Sequence, residues 1–269
     1  MIAAGRRYCF DNYQYAISTN PENQTRFLSL MPKRSRQDPE ARPETVAERR
    51  FAEQAEALSE LGLEERFARI YQTNLWFDAE SRSGAGSSLD STAQLRDALP
   101  PVLRRLKARR LLDVPCGDFN WMSQVDLSGI EYIGGDIVEP LIQANRERFE
   151  SQVRRFLKVD IIKGPLPEAD VILCRDCLVH FSFANIVATF RTVKASGAEY
   201  FLTTTFPGRA GNKDIVDGDW RPLDLEASPF LLPAPIDVIV EGCMEEGGAY
   251  ADKALGVWRT SDLPTQMAG

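Results

Sequence analysis

The chain lacks a long apolar run, an excess of positive charge, and any histidine besides His180. No stretch approaches the ~20 apolar residues that a membrane-spanning helix needs, and the first ten residues lack the apolar core of a secretory signal. Lysine and arginine number 32 against 39 aspartate and glutamate, a formal charge of −7. Because such a balance disfavours a non-specific grip on nucleic acid, we expect neither a membrane nor a nucleic-acid partner.

Cysteine is sparse and irregularly spaced. The five cysteines form an odd, scattered set, which suits reduced thiols in a cytoplasmic enzyme better than a disulfide framework. Cys174 and Cys177 have the spacing of a metal-ligand pair, but the other cysteines and His180 are too dispersed to complete a tetrahedral zinc site. We therefore expect a cytoplasmic protein without a metal site.

The composition that remains is ordinary for a globular protein, 43% hydrophobic and 26% charged, and it divides into three segments. Residues 1–45 are polar and broken by proline, and are predicted to form a largely disordered extension. Residues 46–110 carry apolar positions at helical spacing and predict a helical cap. One of its helices is predicted to begin at Asp90 or Ser91 and to restart at Pro100 and Pro101.

Residues 111–264 alternate strands and helices and are predicted to form the main domain. Because strand–helix repeats of this length produce parallel strands covered on both faces, they predict a doubly wound α/β sheet. The link Met244–Lys253 is too short for a crossover helix, so the last two of seven strands are predicted to pair as an antiparallel hairpin. The strand candidates are Arg110–Pro115, Glu131–Asp136, Arg155–Asp160, Asp170–Arg175, Glu199–Thr205, Asp237–Cys243 and Leu255–Thr260, and the helix candidates are Trp121–Leu127, Glu139–Phe149 and Phe183–Ser196.

Acidic residues end the first two strands. Asp113 leads into the turn Val-Pro115-Cys-Gly117-Asp118, and Asp136 ends the second strand. Carboxyl ends of neighbouring parallel strands meet at one edge of a sheet, where nucleotides bind. Gly117 allows the backbone to approach a ligand, and Asp136 is placed to accept both hydroxyls of a ribose, or else to cap the following helix. The pattern predicts an adenosine-containing cofactor.

With this pattern the chain resembles the class I S-adenosylmethionine-dependent methyltransferases, over about residues 64–262. Their sheet has six parallel strands and a seventh inserted antiparallel from a C-terminal hairpin. The string Asp113-Val-Pro-Cys-Gly-Asp-Phe-Asn-Trp121-Met also resembles a bacterial group within that family. Where the family usually has a first glycine, this chain has Pro115, which fixes φ and removes an N–H, so the turn must not need a donor there.

The resemblance implies S-adenosylmethionine as the cofactor. Asp160 would accept the adenine amino group, with Ile161 or Ile137 packed against the ring; the alternative for Asp160 is an ordinary acid at a strand end. The backbone of Val114–Gly117 and the side chain of Asp118 would line the amino-acid end. Asp113 would either face the ligand or order the turn.

A loop of small residues, Ser83-Gly84-Ala-Gly86-Ser87-Ser88, precedes a predicted helix. Several backbone N–H groups in one concavity bind an anion, and a helix N-terminus adds a favourable dipole. We expect this loop to fold over the site and hold the methionine carboxylate or an anionic acceptor; the alternative is a flexible linker. Trp76, just upstream, is expected to cap the pocket or to belong to the core.

Catalytic candidates follow the fourth strand, where the resemblance places residues near the transferred methyl group. His180 is expected to take a proton from a hydroxyl acceptor, unless it only caps the next helix or packs against Phe181. Arg175 and Asp176 are expected to orient the acceptor, the alternative being a surface ion pair of little energetic worth.

Acceptor selection is assigned to the insert between the fifth and sixth strands. Trp220 offers a flat apolar surface and Arg221 a fixed cation, which suit a sugar, a phosphate or a carboxylate. Asn212 is a weaker polar candidate, and all three residues have the alternative role of fixing their own loop.

The predicted function is methyl transfer to a small-molecule or glycan acceptor, at a hydroxyl oxygen. N- or C-methylation of another metabolite and a non-catalytic nucleotide-binding module are the alternatives. An NAD(P)-dependent oxidoreductase is disfavoured because no Gly-x-Gly-x-x-Gly follows the first strand.

Overall fold

The computed structural model describes residues 42–268, and the structural statements that follow concern this part of the chain. Most of the predicted extension lies outside it, so the three-segment division stays a prediction. The end of that extension does contact the folded chain. Arg42 donates two hydrogen bonds, of 2.9 and 2.8 Å, to Asp252, and the Pro43 carbonyl accepts one from the Tyr250 hydroxyl. Across residues 42–268, every helix is too short or too polar to cross a membrane.

Seven strands form one mixed sheet in the order β3-β2-β1-β4-β5-β7-β6. All strands run parallel except β7, which is antiparallel to its neighbours β5 and β6. The strands are β1 (Arg110–Asp113), β2 (Glu131–Asp136), β3 (Arg154–Lys158), β4 (Val171–Cys174), β5 (Tyr200–Thr205), β6 (Asp237–Val240) and β7 (Ala254–Arg259). The predicted doubly wound, seven-stranded sheet with its C-terminal antiparallel hairpin is confirmed.

Several strands end earlier than predicted, because the chain turns there into the loops that build the site. The strand predicted to reach Pro115 stops at Asp113, since proline has no N–H for the ladder. The strand predicted to reach Asp160 stops at Lys158. The Asp160 carboxylate accepts the N–H groups of Ile162 and Lys163, which forms a turn in place of extended strand.

Helices cover both faces of the sheet, as the alternating pattern predicts. They are α1 (Val46–Ser59), α2 (Leu63–Thr73), α3 (Ala93–Arg105), α4 (Glu139–Phe149), α5 (Phe183–Ala195) and the single turn α6 (Glu245–Gly248). The Thr45 hydroxyl accepts the Glu48 N–H while the Glu48 carboxylate accepts the Thr45 N–H, so a capping box begins α1.

Consecutive residues of a strand point to opposite faces of the sheet, and each face packs into its own apolar cluster. Leu112 of β1 packs with Phe190 of α5 on one face, and Leu111 packs with Leu99 of α3 and Ile142 of α4 on the other. Both faces are therefore buried, which leaves the strand ends as the place where a ligand can reach the sheet.

The predicted helix Trp121–Leu127 is wrong. Only a 3-10 turn, Met122–Gln124, forms there. The Asp126 carboxylate accepts both the N–H and the hydroxyl of Ser128, and such local bonds compete with helix formation.

The predicted helix restart at Pro100 and Pro101 is also wrong, because α3 runs unbroken through both prolines. Each proline removes a helical hydrogen bond. Leu95, Leu99 and Leu103 are fully buried on the same helix, and their burial keeps it continuous.

Candidate functional site

Two cavities lie side by side at the carboxyl ends of the central strands. The first has an empty volume of about 1050 Å³ and the second of about 790 Å³, each including the part open to solvent. They share four wall residues, Trp76, Ser83, Asp176 and His180. Two ligands bound in adjoining cavities would meet at this shared wall, and holding two reactants together is a large part of catalysing a transfer between them.

Asp136 ends β2 and lies in the wall of the first cavity with 6% of its surface exposed. Its Oδ1 accepts the Val138 N–H at 3.0 Å, and its Oδ2 accepts the Gly117 N–H at 3.3 Å. Each oxygen keeps a further lone pair, so the carboxylate can still accept ligand hydroxyls. The bond to Val138 lies just before α4, so the helix-capping and ligand-binding roles are compatible. Burial raises the pKa of Asp136 to about 6.

The turn after β1 brings backbone to the same cavity. Gly117 has a φ of 54°, and a Cβ there would overlap the Ser83 hydroxyl, so both conformation and space require glycine. Pro115 lines the cavity, and the donors of this turn come instead from the N–H groups of Cys116 and Gly117. Asp113 is buried and accepts the Tyr132 hydroxyl at 2.6 Å, which anchors the turn, and burial raises its pKa to about 7.

The predicted anion-binding loop is fixed against this turn by Asp118. The Asp118 carboxylate accepts the Ser81 hydroxyl at 3.0 Å, the Arg82 N–H at 2.8 Å and the Ser83 hydroxyl at 3.4 Å. The carboxylate predicted to face the cofactor is thus bonded to the loop, and the loop is not a free linker.

The loop divides its predicted cofactor-binding residues between the two cavities. Ser87 and Trp76 line the first cavity, and Trp76 lines the second as well. Gly84 and Gly86 line only the second. That both glycines contact the cofactor stays a prediction.

Three residues assigned to the adenine ring, Ile137, Asp160 and Ile161, all line the first cavity. The backbone bonds to Asp160 Oδ1 measure 3.0 and 3.2 Å, and the Lys163 ammonium lies 3.4 Å from Oδ2. These contacts hold the carboxylate in one orientation beside the two apolar side chains.

His180 stands in the shared wall, at the end of a 3-10 turn, Leu178–His180, that follows β4. Its ring stacks on Trp76 with the ring centres 4.8 Å apart. Nδ1 lies 2.8 Å from the Asp219 carbonyl oxygen. A carbonyl only accepts, so Nδ1 carries the proton and Nε2 keeps its lone pair. Burial lowers the pKa of His180 to about 4, which leaves the ring neutral at pH 7.

Arg175 and Asp176 belong to a buried ion network, and the surface-pair alternative is wrong. The Arg175 side chain is 4% exposed and its Nη2 lies 2.6 Å from Oε2 of Glu241, itself 1% exposed. Asp176 Oδ2 lies 3.1 Å from Arg175 Nη1 and 2.6 Å from Lys253 Nζ. Burial alone would raise the pKa of Asp176, but the two cations outweigh burial and lower it to about 2.

Comparison with known proteins found similarity in solved structures only. No family model and no curated protein matches the chain. The Burkholderia thailandensis 1,6-didemethyltoxoflavin N1-methyltransferase, solved with 1,6-didemethyltoxoflavin and S-adenosylhomocysteine, is 16% identical. The aligned region covers 81% of this chain and 92% of the Burkholderia protein, with a TM-score of 0.50. The chain has the class I methyltransferase fold.

Other solved structures are less similar. Human N-acetylserotonin methyltransferase, solved with S-adenosylmethionine, is 15% identical over 78% of this chain and 66% of its own, with a TM-score of 0.42. The chain spans less than two thirds of the methyltransferase domain of a bacterial Hen1, 66%, and of a Pyrococcus horikoshii protein, 61%.

Two residues predicted to bind the acceptor use their side chains in hydrogen bonds to backbone. Arg221 is 5% exposed and donates to three backbone carbonyls of the Leu178–Phe181 turn, so its guanidinium positions the segment that carries His180. The Asn212 side chain bonds to the backbone of Asp224 and Ser228. Neither residue lines either cavity, whereas Trp220 lines the second.

The sequence analysis missed four residues of the C-terminal hairpin. Glu245, Tyr250 and Lys253 line the second cavity, and Glu241 pairs with Arg175, which lines the first. Glu241 directly follows β6 and Lys253 directly precedes β7 of the methyltransferase fold, and the Glu241 N–H donates to the Lys253 carbonyl at 3.0 Å. The signal in the sequence that could have identified them is the pair of opposite charges, Glu241 and Lys253, at the end of this hairpin.

Proposed function

We propose that this protein is an S-adenosylmethionine-dependent methyltransferase with a small-molecule acceptor. The first cavity holds the cofactor and the second holds the acceptor. The observation that carries this proposal is the wall that the two cavities share, because a methyl group must pass directly from one ligand to the other. A glycan is the less favoured acceptor. Arg221 and Asn212 are the polar residues expected to bind it, and both side chains are hydrogen-bonded to backbone.

The residues of the first cavity fit the cofactor. Asp136 has lone pairs free for the two ribose hydroxyls, and Gly117 leaves the backbone bare where a Cβ would intrude. Asp160 accepts the adenine amino group, with Ile137 and Ile161 against the ring. The turn at residues 114–117 lines the amino-acid end.

S-adenosylmethionine supplies a methyl group on a positively charged sulfur, which leaves as a neutral thioether when the acceptor attacks. The chain's own work is to align the acceptor and to take its proton. His180 holds a lone pair at Nε2 in the shared wall, oriented by the bond of Nδ1 to Asp219. An acceptor hydroxyl transfers its proton to this nitrogen as its oxygen bonds to the methyl carbon. An amine nitrogen is the second candidate, favoured by the carboxylates that line the second cavity.

Isothermal calorimetry of the purified protein with S-adenosylmethionine and S-adenosylhomocysteine tests the cofactor assignment. We expect micromolar binding of both and none of NADH, because the site offers a ribose-binding acid without the glycine run for a dinucleotide pyrophosphate. Absence of binding by either sulfur nucleotide, with the fold intact by circular dichroism, would overturn the proposal.

Replacing His180 by Gln is expected to lower the rate of methyl transfer to a hydroxyl acceptor by about 10²–10⁴-fold, the usual contribution of a general base. Glutamine can still donate to the Asp219 carbonyl but cannot take up a proton. The affinity for S-adenosylhomocysteine, measured by calorimetry, should stay within about threefold. A variant with an unchanged rate would rule out His180 as the base.

A further inference from the structure

The second cavity has aromatic walls of a particular geometry. Phe206, Trp220 and Tyr250 stand almost perpendicular to one another, with interplanar angles of 79–88° and ring centres 5.1–6.2 Å apart. Trp76 adds a fourth ring, held by its stack on His180. Because the three rings pack edge to face against one another, they form one aromatic wall of the cavity. Such a wall presents negative ring faces and partly positive ring edges in fixed directions.

The charge of the same cavity is negative. Asp176, Glu245 and Glu246 line it, against Lys253 as the cation and a neutral His180. Lys253 is already committed, with Nζ 2.6 Å from Asp176 Oδ2 and 3.5 Å from Glu241 Oε2. An anionic acceptor would therefore meet net negative charge and no free ammonium group.

Glu245 is the carboxylate of this cavity that no cation contacts directly, and the charges of Lys253 and Arg175 act on it only from a distance. Asp176 is paired with Lys253 and Arg175, and Glu246 lies 3.8 Å from Arg49. Within residues 42–268 the Glu245 carboxylate makes no ion pair and no hydrogen bond. Its Oε1 would lie 3.3 Å from a Cβ built on Gly86, so it reaches the loop that separates the two cavities. A half-buried carboxylate without a partner is costly unless a ligand supplies one.

We infer that the acceptor carries a positively charged amine, which binds against the aromatic wall that contains Trp220 and Tyr250 and pairs with Glu245. Cations bind favourably over aromatic faces, most strongly where water is excluded. Tyr250 already makes such a contact with Arg42, whose guanidinium carbon lies 5.3 Å from the ring centre. The amine is a recognition group, and the atom that is methylated is the one that reaches His180. This inference rests on the proposed function, since it names the acceptor class of the same site.

Two probes with the same phenol hydroxyl and opposite charge test the inference. Tyramine carries an ammonium group and 4-hydroxyphenylacetate a carboxylate. Each is titrated by calorimetry into the protein saturated with S-adenosylhomocysteine, and each is incubated with S-adenosylmethionine to detect methylated product by mass spectrometry. Before the probes are added, S-adenosylhomocysteine is titrated alone into the protein. That titration tests the proposed function separately from the acceptor class.

We expect tyramine to bind at least about tenfold more tightly than 4-hydroxyphenylacetate, the size of a desolvated cation–aromatic contact. In Glu245→Gln the preference should fall to about threefold or less, while S-adenosylhomocysteine binding is unchanged. Glu199→Gln is the matched control, because it removes the same charge from a side chain that is 63% exposed at the other end of β5, and it should keep the full preference.

Equal affinity for the two probes, including no measurable binding of either, would overturn the inference if S-adenosylhomocysteine still binds. A preference for the carboxylate, or a preference that survives Glu245→Gln, would also overturn it. Failure of S-adenosylhomocysteine to bind would overturn the proposed function and the acceptor assignment together.

Discussion

Asp136→Asn is expected to lose cofactor binding and, at the same time, to stabilise the cofactor-free protein at pH 7. Two hydroxyl hydrogen bonds to a carboxylate contribute about 1.5–3 kcal/mol each, so affinity for S-adenosylhomocysteine should fall by at least about 10²-fold. Burial raises the pKa of Asp136 to about 6. The ionised carboxylate therefore opposes folding above that pH, and asparagine removes the charge.

The sign of this stability effect depends on pH. A carboxyl whose pKa is higher in the folded chain than in the unfolded chain favours folding at low pH, and this contribution is lost as pH rises through about 6. The shift corresponds to roughly 3 kcal/mol at most. Asparagine also gives up the 3.3 Å bond from Gly117, worth about 1 kcal/mol, so the net gain at pH 7 should be about 1–2 kcal/mol.

Calorimetry and urea unfolding at pH 7 and at about pH 4 measure both effects. The stability advantage of Asp136→Asn should disappear at the lower pH, where the native carboxyl is protonated in the folded chain. Asp97→Asn, on the exposed side of α3, is the control and should change neither binding nor stability by more than about 0.5 kcal/mol. Retained cofactor affinity in Asp136→Asn would contradict the ribose assignment.

Arg175→Met is expected to destabilise the protein by about 3 kcal/mol, because it leaves Glu241 buried with only Lys253, 3.5 Å away, to compensate it. It also removes the hydrogen bond from Arg175 to the Gly86 carbonyl, at 2.8 Å, which ties the ion network to the loop between the cavities. For a domain of this size the melting temperature should fall by roughly 6–12 °C.

The double variant Arg175→Met/Glu241→Met separates the two causes. Removing both charges eliminates the unpaired buried carboxylate, so most of the lost stability should return. The loop anchor is still missing in the double variant, so S-adenosylhomocysteine affinity should stay below that of the native protein. Losses that simply add in the double variant would show that Arg175 and Glu241 are not coupled.

The fold could be predicted from the sequence because its signals are local. Most strands contain a short apolar run, and the acids at Asp113 and Asp136 mark the ends of two neighbouring strands. The ribose-binding candidate follows from that topology alone, since parallel strands end at one edge.

The second cavity could not be predicted in the same way, because its residues are chosen by distant contacts. Arg175 pairs with Glu241, which lies 66 positions further along the chain. The Arg221 guanidinium donates hydrogen bonds to backbone carbonyls of the turn that carries His180. A charged residue in a polar loop has the same sequence pattern whether it faces a ligand or its own backbone. Only the packed structure separates Trp220, which lines the cavity, from its neighbour Arg221, which does not.

The two cavities draw on different parts of the chain. The first is built largely from the middle of the sequence, residues 113–161, whereas the second combines Thr45–Ala47 near one end with Cys243–Lys253 near the other. Few side chains serve both. Under the proposed function, substitutions in these two outer segments would change which acceptor binds, while the residues proposed to hold the cofactor stay the same.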